Sequence, residues 1–386
     1  MLNVLAIWLT FAFFSFGILG LNYIYTREAS KRPWKIKTDK EYMPKISIIV
    51  PTYNEHEIIG YKLRNLAKLE YPKNLMQIVF IDSQSTDPTV DVIRRFAENY
   101  PDVNIKILME NKRKGKSSAL NAALKSCTGD VMVVSDADCF WPPNTLSKAL
   151  SYLADPTVGA ISGPKKLLNP EDSWVTKSED EYLKSMNLMK LGESKKSSTI
   201  FFEGGFSAYK NSVLDRFDPY ETGSDDCGTV IKVLEKKFRA IMVPEAGFFT
   251  TFPETWKGKV EIKIRRANQL VQIFRRYAVL LFKSEIETAK RTVAKNLLVY
   301  LLAPIIFPLF VATSFFLMLE FPLTILFLLV FLIPKVRGYL MEAALNYMIL
   351  LYSIILSVSR KKFAVWKKPQ GRTSLTEDML LQKELI

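Results

Sequence analysis

The sequence predicts an α/β fold, a mostly parallel sheet covered by helices on both faces, joined to helices that cross a membrane. Between residues 45 and 160, short β-branched and apolar runs alternate with amphipathic segments. That alternation is typical of parallel strands connected by crossover helices. Long apolar segments lie near both ends of the chain, and about 20 such residues are enough for a helix to span a bilayer.

Each element of the predicted sheet follows from these runs. Four strands are predicted, at residues 46–50, 77–81, 105–108 and 131–134. Three helices are predicted between them, at residues 55–69, 89–99 and 117–126. From residue 165 onward the pattern is less regular, and two further strands are predicted, at residues 201–209 and 238–243. Polar clusters follow the first, second and fourth strands, at the edge where such sheets bind ligands.

The apolar ends predict a membrane protein with four parts. Residues 1–25 form an N-terminal transmembrane anchor, because the run lacks the basic start and small-residue cleavage site of a signal peptide. Residues 40–290 form the sheet domain. Residues 291–359 form two to three transmembrane or interfacial helices, interrupted by Pro304 and Pro308, and residues 360–386 form a basic tail. The number of C-terminal crossings is left open.

Basic residues place the sheet domain and the tail on one side of the cell membrane. Four of them follow the anchor directly: Arg27, Lys31, Arg32 and Lys35. By the positive-inside rule they hold the downstream domain in the cytoplasm, and the basic tail indicates a cytoplasmic C-terminus. We therefore expect a multi-pass membrane protein with a cytoplasmic domain.

Charge and composition restrict the partners and the chemistry. The formal net charge of +14 suits anionic membrane lipids and a phosphorylated substrate. No basic helix or aromatic–basic ribbon is present, so nucleic acid is not a predicted partner. His56 is the only histidine, which excludes a Ser-His-Asp triad and a histidine metal cluster. Three dispersed cysteines predict neither a disulfide framework nor a zinc site.

Two clusters have residues suited to a diphosphate. Asp136 and Asp138 end a hydrophobic strand, and carboxylates at i and i+2 point the same way, so they can share Mg²⁺ or Mn²⁺ with diphosphate oxygens. The basic run at residues 112–116 precedes a predicted helix, whose free amides and adjacent cations form an anion site. A solvated basic turn is the alternative interpretation. No P-loop motif is present.

Two later clusters add glycines and acidic residues. Gly204 and Gly205 follow Glu203 and allow backbone to approach a ligand closely beside a carboxylate. Asp225 and Asp226 introduce a predicted helix. Capping of that helix is the alternative role for the acidic pair, and both roles can coexist.

The order and spacing of these clusters, over residues 45–270, resemble the inverting glycosyltransferases of family 2. The matching motifs are Val50-Pro51-Thr52-Tyr53-Asn54-Glu55, Asp82-Ser83-x-Ser85-Thr86-Asp87, Lys114-Gly115-Lys116 with Ala119-Leu120-Asn121, Asp136-Ala137-Asp138, Glu203-Gly204-Gly205-Phe206, Asp225-Asp226, and Pro244-Glu245-Ala246 with Thr250. The layout of membrane segments is similar to hyaluronan and cellulose synthases, and Trp366 with Arg372 adds to this likeness. The resemblance implies a GT-A, Rossmann-like sheet domain.

The resemblance also implies residue roles. Those that bind the donor are Pro51, Tyr53 and Glu55 around the nucleoside, Asp82 at the base, Lys116 and Arg266 at the diphosphate, and Asp136 at the ribose or metal. Asp138 binds the metal, with Asp136. Asp226 is the general base with Asp225 beside it, and Glu203, Gly204 and Gly205 line the sugar pocket.

The implied reaction transfers a sugar from a UDP- or GDP-linked donor to a lipid-linked or saccharide acceptor. A retained base favours a hydroxyl acceptor, because a hydroxyl needs deprotonation and a phosphate does not. Processive members of the family carry a Q-x-x-R-W motif, where this chain reads Lys263-Ile264-Arg265-Arg266-Ala267, so we do not expect a long-chain polymerase. The alternatives are a polyprenyl-phosphate glycosyltransferase, a nucleotide-binding scaffold without catalysis, and a hydrolase.

Overall fold

A seven-stranded sheet and a separate two-stranded sheet form the centre of the protein. The computed structural model describes residues 2–283, 286–322, 326, 329, 332–358 and 375–386. The strands are β1 (Ile46–Thr52), β2 (Met76–Asp82), β3 (Asn104–Met109), β4 (Val131–Val134), β5 (Val158–Ser162), β6 (Lys165–Leu167), β7 (Ser207–Lys210), β8 (Arg239–Met242) and β9 (Phe248–Thr250). The larger sheet has the order β3-β2-β1-β4-β7-β5-β8, and β6 pairs with β9.

The larger sheet is mostly parallel, as predicted. Strand β1 pairs parallel with β2 and β4, so that Ile48 lies opposite Ile78 and Val133. Strand β7 is antiparallel to both of its neighbours, β4 and β5. The four predicted strands between residues 46 and 134 are all confirmed.

Helices cover both faces of the sheet, which explains why its central strands β1, β2 and β4 are mainly apolar. The helices of this domain are α3 (His56–Ala67), α4 (Thr89–Asn99), α5 (Lys116–Leu124), α6 (Thr145–Leu150), α7 (Trp174–Lys196), α8 (Cys227–Glu235) and α9 (Trp256–Phe282). Ile48 and Val50 of β1 lie in the core on the side of α3, whereas Ile49 lies in the core on the side of α5 and α8. Successive residues of a strand face opposite sides.

The second half of the domain differs from the sequence expectation. The predicted strand at residues 201–209 is wrong in its first part: only Ser207–Lys210 forms a strand. The predicted strand at residues 238–243 is confirmed as β8. Strands β5, β6 and β9 and the long helices α7 and α9 were not predicted. Both helices have clear caps, since the hydroxyl of Ser173 accepts from the Thr176 amide and that of Thr255 from the Gly258 amide.

Three helices in the described part of the chain are long and apolar enough to cross a membrane: Asn3–Ser30, Lys290–Glu320 and Val336–Ser357. The first comprises α1 (Leu2–Ala12), a π-helical turn (Phe13–Gly17) and α2 (Ile18–Ser30). The second comprises α10 (Lys290–Leu297), a π-helical turn (Leu298–Leu302) and α11 (Ala303–Glu320), and the third is α12 (Pro334–Val358). The prediction of one N-terminal and two to three C-terminal apolar helices is confirmed, with two C-terminal ones in the described part of the chain. Most of residues 321–333 and all of 359–374, with Trp366 and Arg372, lie outside the described residues.

The apolar helices pack on one another and on the sheet domain. The hydroxyl of Tyr347 in α12 donates to the carbonyl of Ser15 at 2.5 Å. The second π-helical turn, Leu298–Leu302, ends two residues before Pro304. Proline has no N–H, so it leaves one normal helical hydrogen bond unmade. Helices α2 and α7 cross closely at Gly192, where an added Cβ would lie 2.0 Å from the Thr26 carbonyl oxygen.

The last twelve residues fold back onto the sheet domain. They contain the short helix α13 (Glu377–Leu381). Leu380 and Leu385 are fully buried in a cluster with Phe140, and the Asn65 side chain donates to the Leu385 carbonyl at 2.6 Å. The described end of the tail therefore belongs to the folded domain.

Candidate functional site

Two carboxylates lie just beyond the end of strand β4. Ligand atoms of Asp136, Asp138 and Cys139 all lie within 4.8 Å of one another. Asp138 is 7% exposed, and the Thr250 hydroxyl, at the end of β9, donates to its Oδ2 at 3.4 Å. The two-stranded sheet thus supports the loop that follows β4.

The chemistry of this donor set fits a hard divalent cation. Burial and the nearby Asp136 raise the pKa of Cys139 to about 12, so its thiol stays protonated and is a poor ligand for Mg²⁺ or Mn²⁺. Two carboxylates are the oxygen ligands that these ions prefer, and they keep further positions for substrate oxygens or water. Asp136 and Asp138 are therefore the residues that would hold a metal.

Lys116 joins this loop to the second acidic pair. Its Nζ lies 2.6 Å from Asp136 Oδ1 and 2.8 Å from Asp225 Oδ2. Lys116 begins helix α5, directly after Gly115, whose φ of 100° is a backbone conformation that favours glycine. Although burial opposes it, the two carboxylates raise the pKa of Lys116 above its usual value.

The two members of the second acidic pair have different surroundings. Burial raises the pKa of Asp225 to about 6, Lys116 opposes the rise, and the neighbouring carboxylates Asp226 and Asp136 add to it. Asp226 caps helix α8: its Oδ1 accepts from the Cys227 amide at 2.7 Å and from the Ser224 hydroxyl. Its Oδ2 accepts no hydrogen bond from the residues that the structure describes. Asp226 therefore caps helix α8 with Oδ1, and its Oδ2 is available for a second role.

Glycines bring a neighbouring segment against the charged pair. Because β7 runs antiparallel to β4, the residues before β7 lie at the end of β4, and the Asp136 amide donates to the Gly204 carbonyl at 3.2 Å. A Cβ at Gly204 would lie 2.6 Å from Lys116 Nζ, and one at Gly205 would lie 2.1 Å from the Phe248 ring. A side chain at Gly204 would fill the space beside Lys116, and one at Gly205 would displace the buried ring of Phe248.

Residues after β1 form a second wall of the site. The Arg113 guanidinium lies over the Tyr53 ring, 3.7 Å from its centroid. Pro51 lies near the end of β1, and Glu55 is the N-cap residue of α3. An aromatic ring paired with a cation is suited to a planar or phosphorylated ligand. Sequence reasoning named Tyr53 but assigned no separate role to Arg113.

Asp82 is fully buried, and its carboxylate organises the loop after β2. It accepts hydrogen bonds from the Thr52 hydroxyl at 3.1 Å and from the Ser85 hydroxyl and amide at 2.5 and 2.8 Å. Its contact with a nucleobase stays a prediction.

Glu203 pairs with a lysine that the sequence did not indicate. Lys190, in helix α7, donates to Glu203 Oε1. Although burial opposes it, Lys190, Arg266 and Lys165 hold the pKa of Glu203 below its usual range. Although burial opposes it, the nearby carboxylates Glu203, Glu179 and Asp226 raise the pKa of Arg266.

Lys62 supports the loop that carries Asp136 and Asp138 from within the core. It is fully buried, and its Nζ donates to the Ser135 hydroxyl at 2.6 Å and to the Cys139 carbonyl at 2.5 Å. Burial lowers the pKa of Lys62 to about 7. A signal for it existed in the sequence, because Lys62 lies on the apolar face of α3 with Ile59 and Leu66.

Comparisons with known proteins show the family to which the chain belongs. The family model described as glycosyltransferase like family 2 matches residues 44–269. A probable glycosyltransferase, YdaM of Bacillus subtilis, is 28% identical over 284 residues, 70% of this chain and 64% of its own length. An N-acetylglucosaminyltransferase of Rhizobium meliloti is 30% identical over 237 residues, 58% of this chain and 55% of its own. The chain thus spans less than two thirds of the length of these two relatives.

A solved structure is similar over nearly the whole chain. The mannosyltransferase PcManGT of Pyrobaculum calidifontis, determined in complex with GDP-Man and Mn²⁺, superimposes with a TM-score of 0.79 at 30% identity. The match covers 93% of this chain and 100% of that one. Since the family match covers more than half of the chain and the fold agrees, the chain belongs to glycosyltransferase family 2 and has a GT-A sheet domain.

Proposed function

We propose that the chain is an inverting, metal-dependent glycosyltransferase that transfers a sugar from a nucleoside-diphosphate donor to a hydroxyl of a lipid-linked or saccharide acceptor. The observation that carries this proposal is the contact of Lys116 with both Asp136 and Asp225, beside Asp138. This contact brings the groups needed to bind a diphosphate and to accept a proton together at one edge of the sheet.

The donor half of the proposal rests on charge. Asp136 and Asp138 would hold the divalent cation, Mg²⁺ or Mn²⁺, which when bound neutralises charge on the donor's diphosphate. GDP-Man and Mn²⁺ in the similar mannosyltransferase support a GDP- or UDP-linked donor and a divalent ion here. Lys116 adds a cation for the leaving group, and the Tyr53–Arg113 wall is suited to the nucleoside.

The transfer is a single displacement. The acceptor hydroxyl oxygen bonds to the anomeric carbon while the bond from that carbon to the diphosphate oxygen breaks, and its electron pair leaves with the nucleoside diphosphate. The hydroxyl proton passes to Asp226. Its Oδ1 is held by the Ser224 hydroxyl and the Cys227 amide, so Oδ2 is the oxygen that takes the proton. Asp225, paired with Lys116, positions that cation.

Three apolar helices and the position of residues 375–386 support attachment of the protein to a membrane. Residues 375–386 pack on α3 of the sheet domain, so both lie on the same side of the membrane. If Lys290–Glu320 crosses, Val336–Ser357 must return. The basic residues after the N-terminal anchor support a cytoplasmic domain at the cell membrane, where it would meet membrane lipids.

The decisive test removes the carboxylates of the site one at a time. Asp138→Ala and Asp226→Asn should each lower sugar transfer by about 100-fold or more, because a metal clamp and a general base each contribute several kcal/mol to the barrier. Transfer is measured with membranes, radiolabelled nucleotide-sugars, and Mg²⁺ or Mn²⁺.

Asp215→Ala is the matched control, since that carboxylate is exposed and pairs only with Lys236 among the described residues. It should keep wild-type transfer. Wild-type rates in Asp138→Ala at saturating metal would refute the metal assignment. Near-normal transfer by Asp226→Asn would refute its role as the base.

A further inference from the structure

The loop that carries Asp136 and Asp138 is held partly through its backbone. Phe140, two residues after Asp138, exchanges two main-chain hydrogen bonds of 2.8 Å with Phe249. The next residue, Thr250, donates from its hydroxyl to Asp138 Oδ2. Two carboxylates can bind one cation only if the backbone between them holds both in a fixed position. Groups that hold this backbone therefore act on the metal site without touching the metal.

One buried side chain joins this loop to residues 375–386. Asn65, in α3, is fully buried. Its Oδ1 accepts from the Trp141 amide at 3.0 Å, and its Nδ2 donates to the Trp141 carbonyl at 2.8 Å and to the Leu385 carbonyl at 2.6 Å. Both hydrogens of the Asn65 amide thus have an acceptor, and one acceptor belongs to residues 375–386. Loss of that acceptor would leave a buried N–H unpaired, which is unfavourable.

Apolar contacts of residues 375–386 cover the same loop. Leu380 and Leu385 form a cluster with Phe140, and all three side chains are fully buried. Leu168, directly after β6, belongs to the same cluster. Undocking of residues 375–386 would expose the Phe140 ring to water. The loop of Asp136 and Asp138 therefore shares a small apolar core with a segment that is distant in sequence.

An exposed ion pair is the third contact of this segment. Arg64 and Glu377 lie 2.6 Å apart, and both side chains are more than two-fifths exposed. Such a pair contributes little to stability, because water and salt screen it. Asn65 and the two leucines therefore carry the docking. It can be weakened at the leucines without any change to the carboxylates of the site.

We propose that docking of residues 375–386 positions the loop of Asp136 and Asp138 and so raises the affinity of the site for a divalent cation. Leu380 and Leu385 are positioning residues that act through Phe140 and Asn65. The proposal rests on the function proposed above, because there the two carboxylates hold the metal. Replacing residues that orient metal ligands typically weakens metal affinity by about 10- to 100-fold.

The test measures Mn²⁺ binding to the full, detergent-solubilised chain without donor, from the electron paramagnetic resonance signal of free Mn²⁺. The double variant Leu380→Ala with Leu385→Ala should raise the dissociation constant about ten-fold or more. Leu380→Met with Leu385→Met keeps the side-chain volume and should bind Mn²⁺ as the wild type does. Leu381→Ala is the control, because Leu381 is 50% exposed, and its Mn²⁺ binding should equal that of the wild type.

A second control separates positioning of the loop from loss of stability. Gly192→Ala disturbs the crossing of α2 and α7, which holds neither the loop nor residues 375–386. It should lower the melting temperature and leave the dissociation constant for Mn²⁺ unchanged. Equal weakening of Mn²⁺ binding in Gly192→Ala and in the double alanine variant would overturn the proposal, because the effect would then follow from stability alone.

Asp138→Ala separates this proposal from the metal assignment itself. It should abolish the Mn²⁺ binding that the wild type shows. If Asp138→Ala loses Mn²⁺ while the double alanine variant keeps the wild-type dissociation constant, the metal assignment holds and the positioning role is wrong. If Asp138→Ala binds Mn²⁺ as tightly as the wild type, the metal assignment fails, and the positioning role fails with it.

Discussion

At the scale of single residues, the site depends on buried charges whose partners are far away in the chain. Lys62 supports the loop of Asp136 and Asp138 with two hydrogen bonds and has no carboxylate partner within ion-pair distance in the described part of the chain. A buried ammonium of this kind costs folding free energy. We infer that Lys62 is retained in spite of this cost, because the loop must be rigid if its two carboxylates are to bind one cation.

Lys62 should make stability depend on pH. Its pKa is about 7 in the folded protein, against 10.5 for a fully solvated lysine. Between these values the unfolded chain holds more protons, so stability rises with pH across this window and no longer changes through Lys62 below the lower value. The slope is at most about 1.4 kcal/mol per pH unit for one proton.

Lys62→Met should remove this part of the slope. The measurement is the melting temperature of the detergent-solubilised protein between about pH 7 and 10, for wild type, Lys62→Met and the exposed control Lys125→Met. An identical pH slope in wild type and Lys62→Met would show that Lys62 keeps its proton in the native state.

At the scale of elements, α7 and α9 hold the sheet domain to the apolar helices. They do so with close backbone contacts and with buried ion pairs rather than with a purely apolar face. The Glu342–Lys259 and Glu342–Lys263 pairs connect α12 to α9. Removing one partner of a buried ion pair is strongly destabilising, because it leaves the other charge unpaired. The interface therefore tolerates these charged residues as long as both partners are present.

The crossing of α2 and α7 should be sensitive to a single methyl group. Gly192→Ala would place a Cβ 2.0 Å from the Thr26 carbonyl oxygen, and neither helix backbone can yield without loss of packing. We expect a destabilisation of about 1–3 kcal/mol, seen as a lower melting temperature in detergent.

Gly60→Ala is the matched control within a helix. Nothing lies within 4 Å of a Cβ at that position of α3, so the change should be neutral or should stabilise by up to about 1 kcal/mol through helix propensity. Equal melting temperatures for the two variants would contradict the close α2–α7 contact.

At the scale of the whole molecule, both ends of the chain pack against its middle part. Its N-terminal helix, its C-terminal apolar helices and its last residues all contact the sheet domain or its flanking helices. The C-terminal segment, residues 375–386, covers Phe140, two residues after Asp138. The far end of the chain therefore packs behind the proposed metal-binding loop.

The C-terminal segment should depend on one buried leucine. Leu380→Ala removes a fully buried side chain and should weaken docking by about 2–5 kcal/mol. Leu381→Ala, at a position that is 50% exposed, is the control. Hydrogen exchange of residues 375–386 and 61–68 should accelerate in the first variant only. Unchanged protection in Leu380→Ala would mean that other contacts hold the segment.

Sequence alone determined the first four strands, the apolar helices and the acidic, basic and glycine clusters at one sheet edge. These features are local: a buried strand is apolar throughout, and parallel strands direct the residues after them to the same edge. Asp136 and Asp138 could be predicted as candidate metal ligands for the same reason, because they are neighbours at the end of one strand.

Only the tertiary structure decided which charges meet. The contact of Lys116 with Asp225, the pairing of Lys190 with Glu203 and the docking of Leu380 all join segments distant in sequence. Helices α7 and α9 escaped prediction because they bury charged residues, such as Glu179 and Lys259, which interrupt the apolar period that a buried helix normally shows. The sequence does not show whether a charged residue is buried or which residue it pairs with, because both depend on what the rest of the fold packs against it.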